Sequence, residues 1–230
     1  MKTTKRIRSV MTALAAAALL CSCAGNASEP VQTAATFTGV YENNPYFDIV
    51  DTAVLHGTDN SGSEPVTYVI HKLYARESID IDTTLTAYAE NGEKIGESRE
   101  YTLPLVKDAY SFLVFPFQTD EPIAETKGSF SGFQMLERGP ERSVEMIQWA
   151  IDENGLKAAV EQTAKQIGPL TRGRFLLTKE NRIIGYAKSW FMKEYVQKQG
   201  DIAEICADDW CEYFCEQDMR PDNVELFLNP

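Results

Sequence analysis

The sequence predicts an all-β protein built from two tandem β-sandwich modules. Short segments rich in β-branched and aromatic residues recur along the chain, one of them alternates strictly between apolar and polar positions, and a hairpin-like pattern of the first half returns in the second. The 230 residues, 43% of them hydrophobic, allow one large domain or two of roughly 100 residues each. The 22 basic and 34 acidic residues give a net charge of −12, which argues against a nucleic-acid partner because phosphate binding needs clustered basic charge.

Residues 1–22 have the pattern of a secretory signal peptide. A segment with four basic and no acidic residues precedes an apolar run over residues 10–20. This run of about 11 residues is too short to cross a bilayer, which needs roughly 20. We therefore exclude residues 1–22 from the folded body.

The apolar run ends in a sequence that resembles the bacterial lipobox. Leu20 stands three residues before Cys23, and the small Ser22 stands directly before it, whereas Cys21 directly follows Leu20 and does not fit. The resemblance implies that the Cys23 thiol carries a diacylglycerol, whose two acyl chains supply a durable membrane anchor. The alternative is an ordinary signal peptide that is cleaved nearby without lipidation. With the anchor, the protein is expected at the extracytoplasmic face of the cell membrane, or of the outer membrane in a cell that has one.

The sequence between the anchor and the first strand predicts a flexible tether. Residues 24–36 contain no large apolar residue except Val31. The predicted organisation is a signal peptide at 1–22, the lipidated cysteine and tether at 23–36, and modules at 37–138 and 139–230. Removal of the four basic residues of the signal leaves 18 basic against 34 acidic residues, a net charge of −16. An anionic membrane surface would repel such a body.

Five segments of the first half read as strands, at 48–55, 67–75, 78–88, 94–101 and 110–117. Alternation is plainest in the third, whose apolar-facing positions are Ile79, Ile81, Thr83, Leu85 and Ala87 and whose other face begins with Asp80 and Asp82. Asn91-Gly92 separates the third from the fourth segment and is a strong hairpin signal. Short strands at this spacing are typical of an antiparallel sandwich.

The second half repeats the hairpin of the first. Glu180-Asn181 followed by Ile184-Gly185 corresponds to Glu90-Asn91 followed by Ile95-Gly96, with an offset of 90 residues at the Glu-Asn pair and a turn one residue shorter. A period near 90 matches the size of one immunoglobulin-type sandwich, which favours a duplication.

One short helix is predicted near 141–153. Val144, Ile147 and Ile151 fall at i, i+3 and i+7, and Gly155 ends the stretch. Residues 156–164 are ambiguous, because their alanine and glutamine content suits a helix while the repeat requires a strand. We adopt the strand.

Residues 173–191 and 222–228 resemble the FxLYD-type immunoglobulin-like modules of Firmicutes lipoproteins. The likeness rests on an apolar strand, a short polar turn, Ile184-Gly185-Tyr186, and a closing strand of the Asp-x-Val-Glu type. Residues 87–96 resemble the same modules more loosely. The resemblance implies an immunoglobulin-like sandwich on an extracytoplasmic lipoprotein, and it carries over no catalytic residue. The acidic stretch at 194–209 and the three cysteines at its end depart from the family pattern.

No catalytic or cofactor-binding residue is predicted. The chain has two histidines, His56 and His71, and a triad with Ser61 or Ser63 lacks the Gly-x-Ser-x-Gly elbow. Paired carboxylates of a glycosidase type are the other route to hydrolysis. With 34 acidic residues, however, the presence of some suitable pair carries little information.

Three cysteines remain beyond the signal and the anchor: Cys206, Cys211 and Cys215. They lack the fourth ligand of a zinc site nearby in sequence, so no metal site is predicted. An exported protein can form a disulfide here, as Cys211–Cys215 or Cys206–Cys215, and the sequence does not choose between them. The alternative is three reduced thiols that fill apolar space.

Aromatic residues near these cysteines are candidates for a binding platform or for packing, and packing is favoured. They are Trp190, Trp210, Tyr213 and Phe214.

The sequence predicts a non-enzymatic binding or interaction module of the bacterial envelope, with an extracellular protein, peptide or glycan as partner. The alternative is a carboxylate-based extracytoplasmic hydrolase. An enzyme should place two acids with perturbed pKa values in one apolar-walled cleft, whereas a binding module should carry scattered surface acids. Only Asp208 and Asp209, beside Trp210, stand in a sequence context that suggests a pocket.

Overall fold

A computed structural model describes residues 40–41, 44–58, 62–132, 144–152, 155–163, 170–192, 200, 202–206 and 212–229. Every regular element in these ranges is a β-strand, which confirms the all-β prediction. The strands are β1 (Val40–Tyr41), β2 (Phe47–Thr58), β3 (Pro65–Ala75), β4 (Ile79–Tyr88), β5 (Lys94–Leu105), β6 (Tyr110–Phe117), β7 (Glu125–Gly132), β8 (Val144–Asp152), β9 (Gly155–Gln162), β10 (Leu170–Lys179), β11 (Arg182–Met192), β12 (Ile202–Cys206), β13 (Glu212–Cys215) and β14 (Asn223–Asn229). The predicted signal peptide, Cys23 and the tether lie outside the described residues.

Strands β1–β7 form the first sandwich. One sheet has the order β2-β3-β6 and the other the order β1-β7-β4-β5. The five segments predicted as strands are β2 to β6. In β4 the predicted alternation is confirmed, because each residue predicted on the apolar face is buried and each residue between them is half-buried. The first core lies between the two sheets, and its fully buried members include Val69, Leu73, Ile81, Leu85, Leu103, Leu113 and Phe115.

Strands β8–β14 form the second sandwich. Its sheets have the orders β12-β9-β8 and β13-β11-β10-β14. β9 covers most of the stretch that the sequence left between helix and strand, so the strand interpretation is confirmed as far as Gln162. The second core includes Leu156, Val160, Phe175, Leu177, Ile184 and Val224, with Trp149 and Ile151 packed against it.

The same strand connectivity occurs in both sandwiches. β3 pairs with β2 and β6, as β9 pairs with β8 and β12. β4 pairs with β5 and β7, as β10 pairs with β11 and β14. β13 is an addition to the second copy, and β1 is an addition to the first. The repeated topology is what a duplication produces, and it extends the hairpin likeness to six strands of each half.

The repeated hairpins differ in their turns as the sequence predicts. In the first, the Gly92 N–H donates to the Ala89 carbonyl, and Gly92 has a φ of 81°. In the second, Glu180 and Asn181 have φ values of 50° and 64°, the two left-handed residues of a type I′ turn. The loss of one residue therefore changes the turn type and leaves both hairpins intact.

The predicted helix near 141–153 is wrong over 144–152, where the chain forms β8. A bulge between Met146 and Gln148 inserts one residue into this strand. Met146, Trp149 and Ile151 consequently pack against the second core while Ile147 is exposed. The inserted residue breaks the period of two, which made the apolar spacing look helical.

The two inner sheets pack face to face and form a third apolar cluster, here called the joint. From the first sandwich it takes Leu55, Val66, Tyr68, Ile70, Phe112 and Val114, and from the second Leu176, Ile183, Tyr186 and Phe227. β3 therefore buries both faces, with Val69 and Leu73 in the first core and Tyr68 and Ile70 in the joint. Thr36–Pro230 forms one compact unit. The predicted module boundary at 138–139 lies outside the described residues and stays a prediction.

Candidate functional site

The residues predicted for lipidation and disulfide formation lie largely beyond what the structure describes. Cys23 and Cys211 fall outside the described residues, and for Cys206 only the backbone position on β12 is described. Cys215 is half-buried at the end of β13, forms no disulfide with any described side chain, and its Sγ lies 3.5 Å from the Met219 carbonyl oxygen. Burial raises the pKa of its thiol. The disulfide stays a prediction.

The two histidines are not arranged as catalytic bases. His71 is completely buried in the first sandwich, and its Nδ1 lies 3.0 Å from the Thr52 hydroxyl. His56 is exposed near the end of β2, with Nδ1 3.0 Å from the Thr67 hydroxyl. Each ring therefore has a hydroxyl partner and no carboxylate at hydrogen-bond distance among the described residues, so neither forms a Ser/His/Asp arrangement there.

His71 belongs to a buried polar pair that the sequence did not reveal. The His71 ring lies edge-on to the Tyr41 ring at 6.2 Å between centroids, and Tyr41 packs against Gly128 and Phe47. The His71 Nε2 and the Tyr41 hydroxyl have no hydrogen-bond partner among the described residues. Burial lowers the pKa of His71 to about 4 and raises that of Tyr41.

An ion cluster crosses the joint. Arg174 of β10 donates through Nη1 to a Glu100 carboxylate oxygen at 2.8 Å and through Nη2 to the Phe112 carbonyl at 2.7 Å. Lys188 of β11 lies 3.0 Å from the other Glu100 oxygen. The side chains of Arg174 and Glu100 are only 4% and 10% exposed. Burial opposes ionisation of Glu100, but the two cations outweigh it and hold the pKa of the carboxyl below its usual value.

Further contacts fix the joint along its length. Lys72 of β3 lies 2.7 Å from a Glu225 carboxylate oxygen on β14. Phe214 of β13 packs on the Tyr68 ring, at 4.4 Å between centroids, and lies against the space where a side chain on Gly57 would stand. Tyr213, in turn, packs against the second core. For these two aromatic residues the packing interpretation is confirmed, while Trp210 and the side chain of Trp190 are outside the description.

Beyond the joint, one row of the first sandwich reaches the surface. Asp48, Tyr74 and Tyr110 lie opposite one another on β2, β3 and β6. The two tyrosine rings meet edge to face at 5.3 Å, and Tyr110 is 53% exposed. The Tyr74 hydroxyl donates to Asp108 at 3.1 Å, and Arg76 pairs with Asp48. We call Asp48, Tyr74, Asp108 and Tyr110 the tyrosine ledge.

Two features outside the joint and the tyrosine ledge bear on catalysis, a carboxyl group with a raised pKa and an open depression. Burial and the neighbouring Asp82 raise the pKa of Asp80, on the outer face of β4. An open depression of about 460 Å³ beside the first hairpin turn is lined by Ala89, Glu90, Asn91, Glu121 and Pro122. The described residues contain no group of three or more His, Cys, Asp or Glu side chains that could hold a metal ion. Asp208 and Asp209 lie outside the description.

Comparison with known proteins does not assign the chain to a family. No family model matches it, and no curated protein matches it. Among solved structures it is similar to the transglutaminase of red sea bream, at 13% identity and a TM-score of 0.21, over 79% of this chain and 29% of that one. The chain thus spans under a third of that enzyme, and a likeness this small carries no argument about fold or activity. In the described ranges no helix is long and apolar enough to cross a membrane.

Proposed function

We propose that the chain is a lipid-anchored protein of the bacterial envelope whose paired sandwiches bind another molecule and catalyse no reaction. The anchor would be a diacylglycerol on Cys23, and the body would stand on the extracytoplasmic face. The lipobox pattern and the likeness to immunoglobulin-like lipoprotein modules support this proposal. The net charge of −16 that remains after removal of residues 1–22 also suits a body held off an anionic membrane.

The main observation in support of the binding role is that Glu100 is buried and paired with two cations. Of the described carboxylates with a shifted pKa, it is the one buried in an apolar setting, and it is neutralised by Arg174 and Lys188 within the joint. A hydrolase needs a carboxylate that meets substrate and changes its protonation state. Glu100 instead holds two sandwiches in a fixed orientation, and the other acids with a shifted pKa, such as Asp80, lie at the surface. This distribution favours a rigid presenting body over a catalytic cleft.

The anchor is tested by metabolic labelling with a fatty acid. Cys23→Ala should abolish labelling and release full-length protein into the medium, because the acyl chains provide the membrane attachment. Cys21→Ala is the matched control and should leave both unchanged. Continued labelling of the Cys23 variant would refute the assignment.

The binding role is tested with the mature body as bait for envelope proteins and glycans, followed by titration with the purified partner. A saturable complex that leaves the partner chemically unchanged is expected. The same protein is incubated with cell-wall glycans and peptides. Turnover that is lost in Asp209→Asn would establish the hydrolase instead.

A further inference from the structure

The tyrosine ledge is a preorganised surface. Neighbouring strands lie about 4.8 Å apart, so the row from Asp48 through Tyr74 to Tyr110 spans about 10 Å across three strands. Its side chains are held by contacts of their own: Arg76 pairs with Asp48, and the Tyr74 hydroxyl donates to Asp108. Little side-chain freedom would be lost when a ligand binds there.

The ledge begins where the joint ends. The next row of β3 holds Lys72, whose ammonium bonds Glu225 of the second sandwich, and the row beyond that is covered by the joint. Tyr110 is therefore left 53% exposed on a sheet face whose aromatic residues nearer the joint, Tyr68 and Phe112, are buried. Because Lys72 belongs to the first sandwich and Glu225 to the second, both sandwiches lie beside this surface, and the ion pair between them fixes their positions there.

The charges around the ledge favour a cationic ligand. Asp48, Asp51 and Asp108 contribute three carboxylates, against Arg76, and the neighbouring Lys107 is paired with Glu77. The Lys72 ammonium lies 5.4 Å from the centroid of the Tyr110 ring and is already neutralised by Glu225. Lys72 already lies over this ring, so an ammonium or guanidinium group of a ligand would use the part of the ring that is left exposed, because such groups are attracted to the face of an aromatic ring. The net charge of −12 would speed the approach of a basic partner.

We propose that the tyrosine ledge is the docking site for an extended basic peptide segment of another envelope protein, with a lysine or arginine side chain against Tyr110. This inference rests on the proposed binding function and names its surface and its ligand class. Asp48 keeps its pair with Arg76, while the carboxylates of Asp108 and of Asp51, opposite Lys72 on β2, pair with further basic groups of the segment. The exposed part of the Tyr110 ring supplies the apolar contact.

The test uses the full chain and a fluorescein-labelled dodecapeptide of alternating lysine and glycine, with binding followed by fluorescence anisotropy. Tyr110→Ala should weaken binding about five- to tenfold, and Tyr110→Phe should retain it, because the ring face is the cation acceptor. Tyr101→Ala is the matched control, since Tyr101 is also exposed but lies on β5 in the other sheet. It should bind as the unaltered chain does.

Two further probes make the ligand class falsifiable. A dodecapeptide of alternating glutamate and glycine should not bind, and a tetramer of N-acetylglucosamine should not compete. Equal binding of the lysine peptide to Tyr110→Ala would show attraction to the acidic body in general and would overturn the proposal. Glycan binding that is lost in Tyr110→Ala would overturn the peptide class. Either result, with an intact anchor and a captured partner, would leave the proposed function standing.

Discussion

Gly96 and Gly185 follow the isoleucine of the repeated hairpin, but their surroundings differ. A Cβ on Gly185 would fall on the Phe214 carbonyl oxygen and 2.9 Å from the Cα of Cys215. A Cβ on Gly96 would meet only the Phe117 ring, at 3.7 Å. The second glycine lets β13 approach β11, while the corresponding position in the first sandwich lies on the edge strand β5.

Gly185→Ala should therefore lower the free energy of unfolding by about 2–3 kcal/mol, because main-chain atoms of a paired strand must move. Gly96→Ala should change it by less than about 0.5 kcal/mol, the ordinary scale of a tolerated substitution. Urea unfolding of the two variants measures the difference. An equal loss of unfolding free energy in the two variants would show that the close approach of β13 to Gly185 does not affect stability.

His71 should make stability depend on pH. Its pKa is about 4 in the folded chain and near 6.5 when unfolded, so below pH 6.5 the unfolded chain binds the extra proton. Stability is therefore lost as pH falls from 6.5 to 4, by about 3 kcal/mol for the full shift.

Urea midpoints at pH 7.5 and 4.5 measure this contribution of His71. His71→Leu should show a smaller drop between the two pH values than the unaltered chain, since its core no longer contains a proton acceptor. His56→Gln, at an exposed position, should retain the full drop. If His71→Leu loses as much stability on acidification as the unaltered chain does, then carboxylates alone account for the acid sensitivity.

At the scale of elements, β5 of the first sandwich is tied to β10 and β11 of the second through Glu100. Glu100→Gln would leave Arg174 only 4% exposed and without its carboxylate. Breaking a buried pair from one side costs about 3–5 kcal/mol, because the remaining charge stays uncompensated. The loss is measured by urea unfolding at neutral pH.

Glu97→Gln provides the control on the same strand. Glu97 pairs with Lys94 at the surface, where both side chains are about half exposed. Solvent screens such an exposed pair, so its loss should lower stability much less than the loss of the buried cluster does. A loss in Glu100→Gln no larger than in Glu97→Gln would mean that the joint does not depend on its ion cluster.

The strands of the first half were predictable because each shows its own signal. β4 alternates residue by residue, and Asn91-Gly92 marks its turn. β8 was predicted as a helix because a bulge at Ile147 shifts the following apolar residues by one position, so they no longer alternate with the residues before it. The position of such an extra residue depends on how β8 pairs with β9, and the sequence of β8 alone does not indicate it.

The joint and the tyrosine ledge could not be predicted from the sequence, because they too depend on contacts between distant segments. Glu100 and Arg174 are 74 residues apart, and Lys72 and Glu225 are 153 apart. Each looks like an ordinary surface charge within its own strand. Only the packing of one sandwich on the other reveals which of the charged residues are buried or paired.

At the scale of the whole molecule, the two sandwiches should unfold as one unit, because ten buried residues of the joint come from both. All three tryptophans, Trp149, Trp190 and Trp210, belong to the second half, so their fluorescence reports on that half alone. Leu85→Ala, in the core of the first sandwich, should cost about 2–5 kcal/mol. The tryptophan transition in urea should shift by the same free energy.

Independent sandwiches would give a different result for Leu85→Ala. The tryptophan transition would stay in place, and the far-ultraviolet circular dichroism would show a separate, earlier step for the first half. Tyr101→Ala, at the surface of the same sandwich, should leave both signals unchanged.

The joint unites unlike sheets, β2-β3-β6 of one copy with β10-β11 of the other, and such a head-to-tail contact generates a closed ring or an open fibre if it recurs. On β10 and β11 the contact face carries Arg174, Leu176 and Tyr186. With the offset of the repeated hairpin, the corresponding positions on β4 and β5 are Thr84, Thr86 and Glu97. These three residues are polar, so this face of the first sandwich lacks the apolar contact surface that β10 and β11 present in the joint. The same contact is therefore not available to a further sandwich at this face, and apolar replacements of these three residues would create a surface prone to polymerisation.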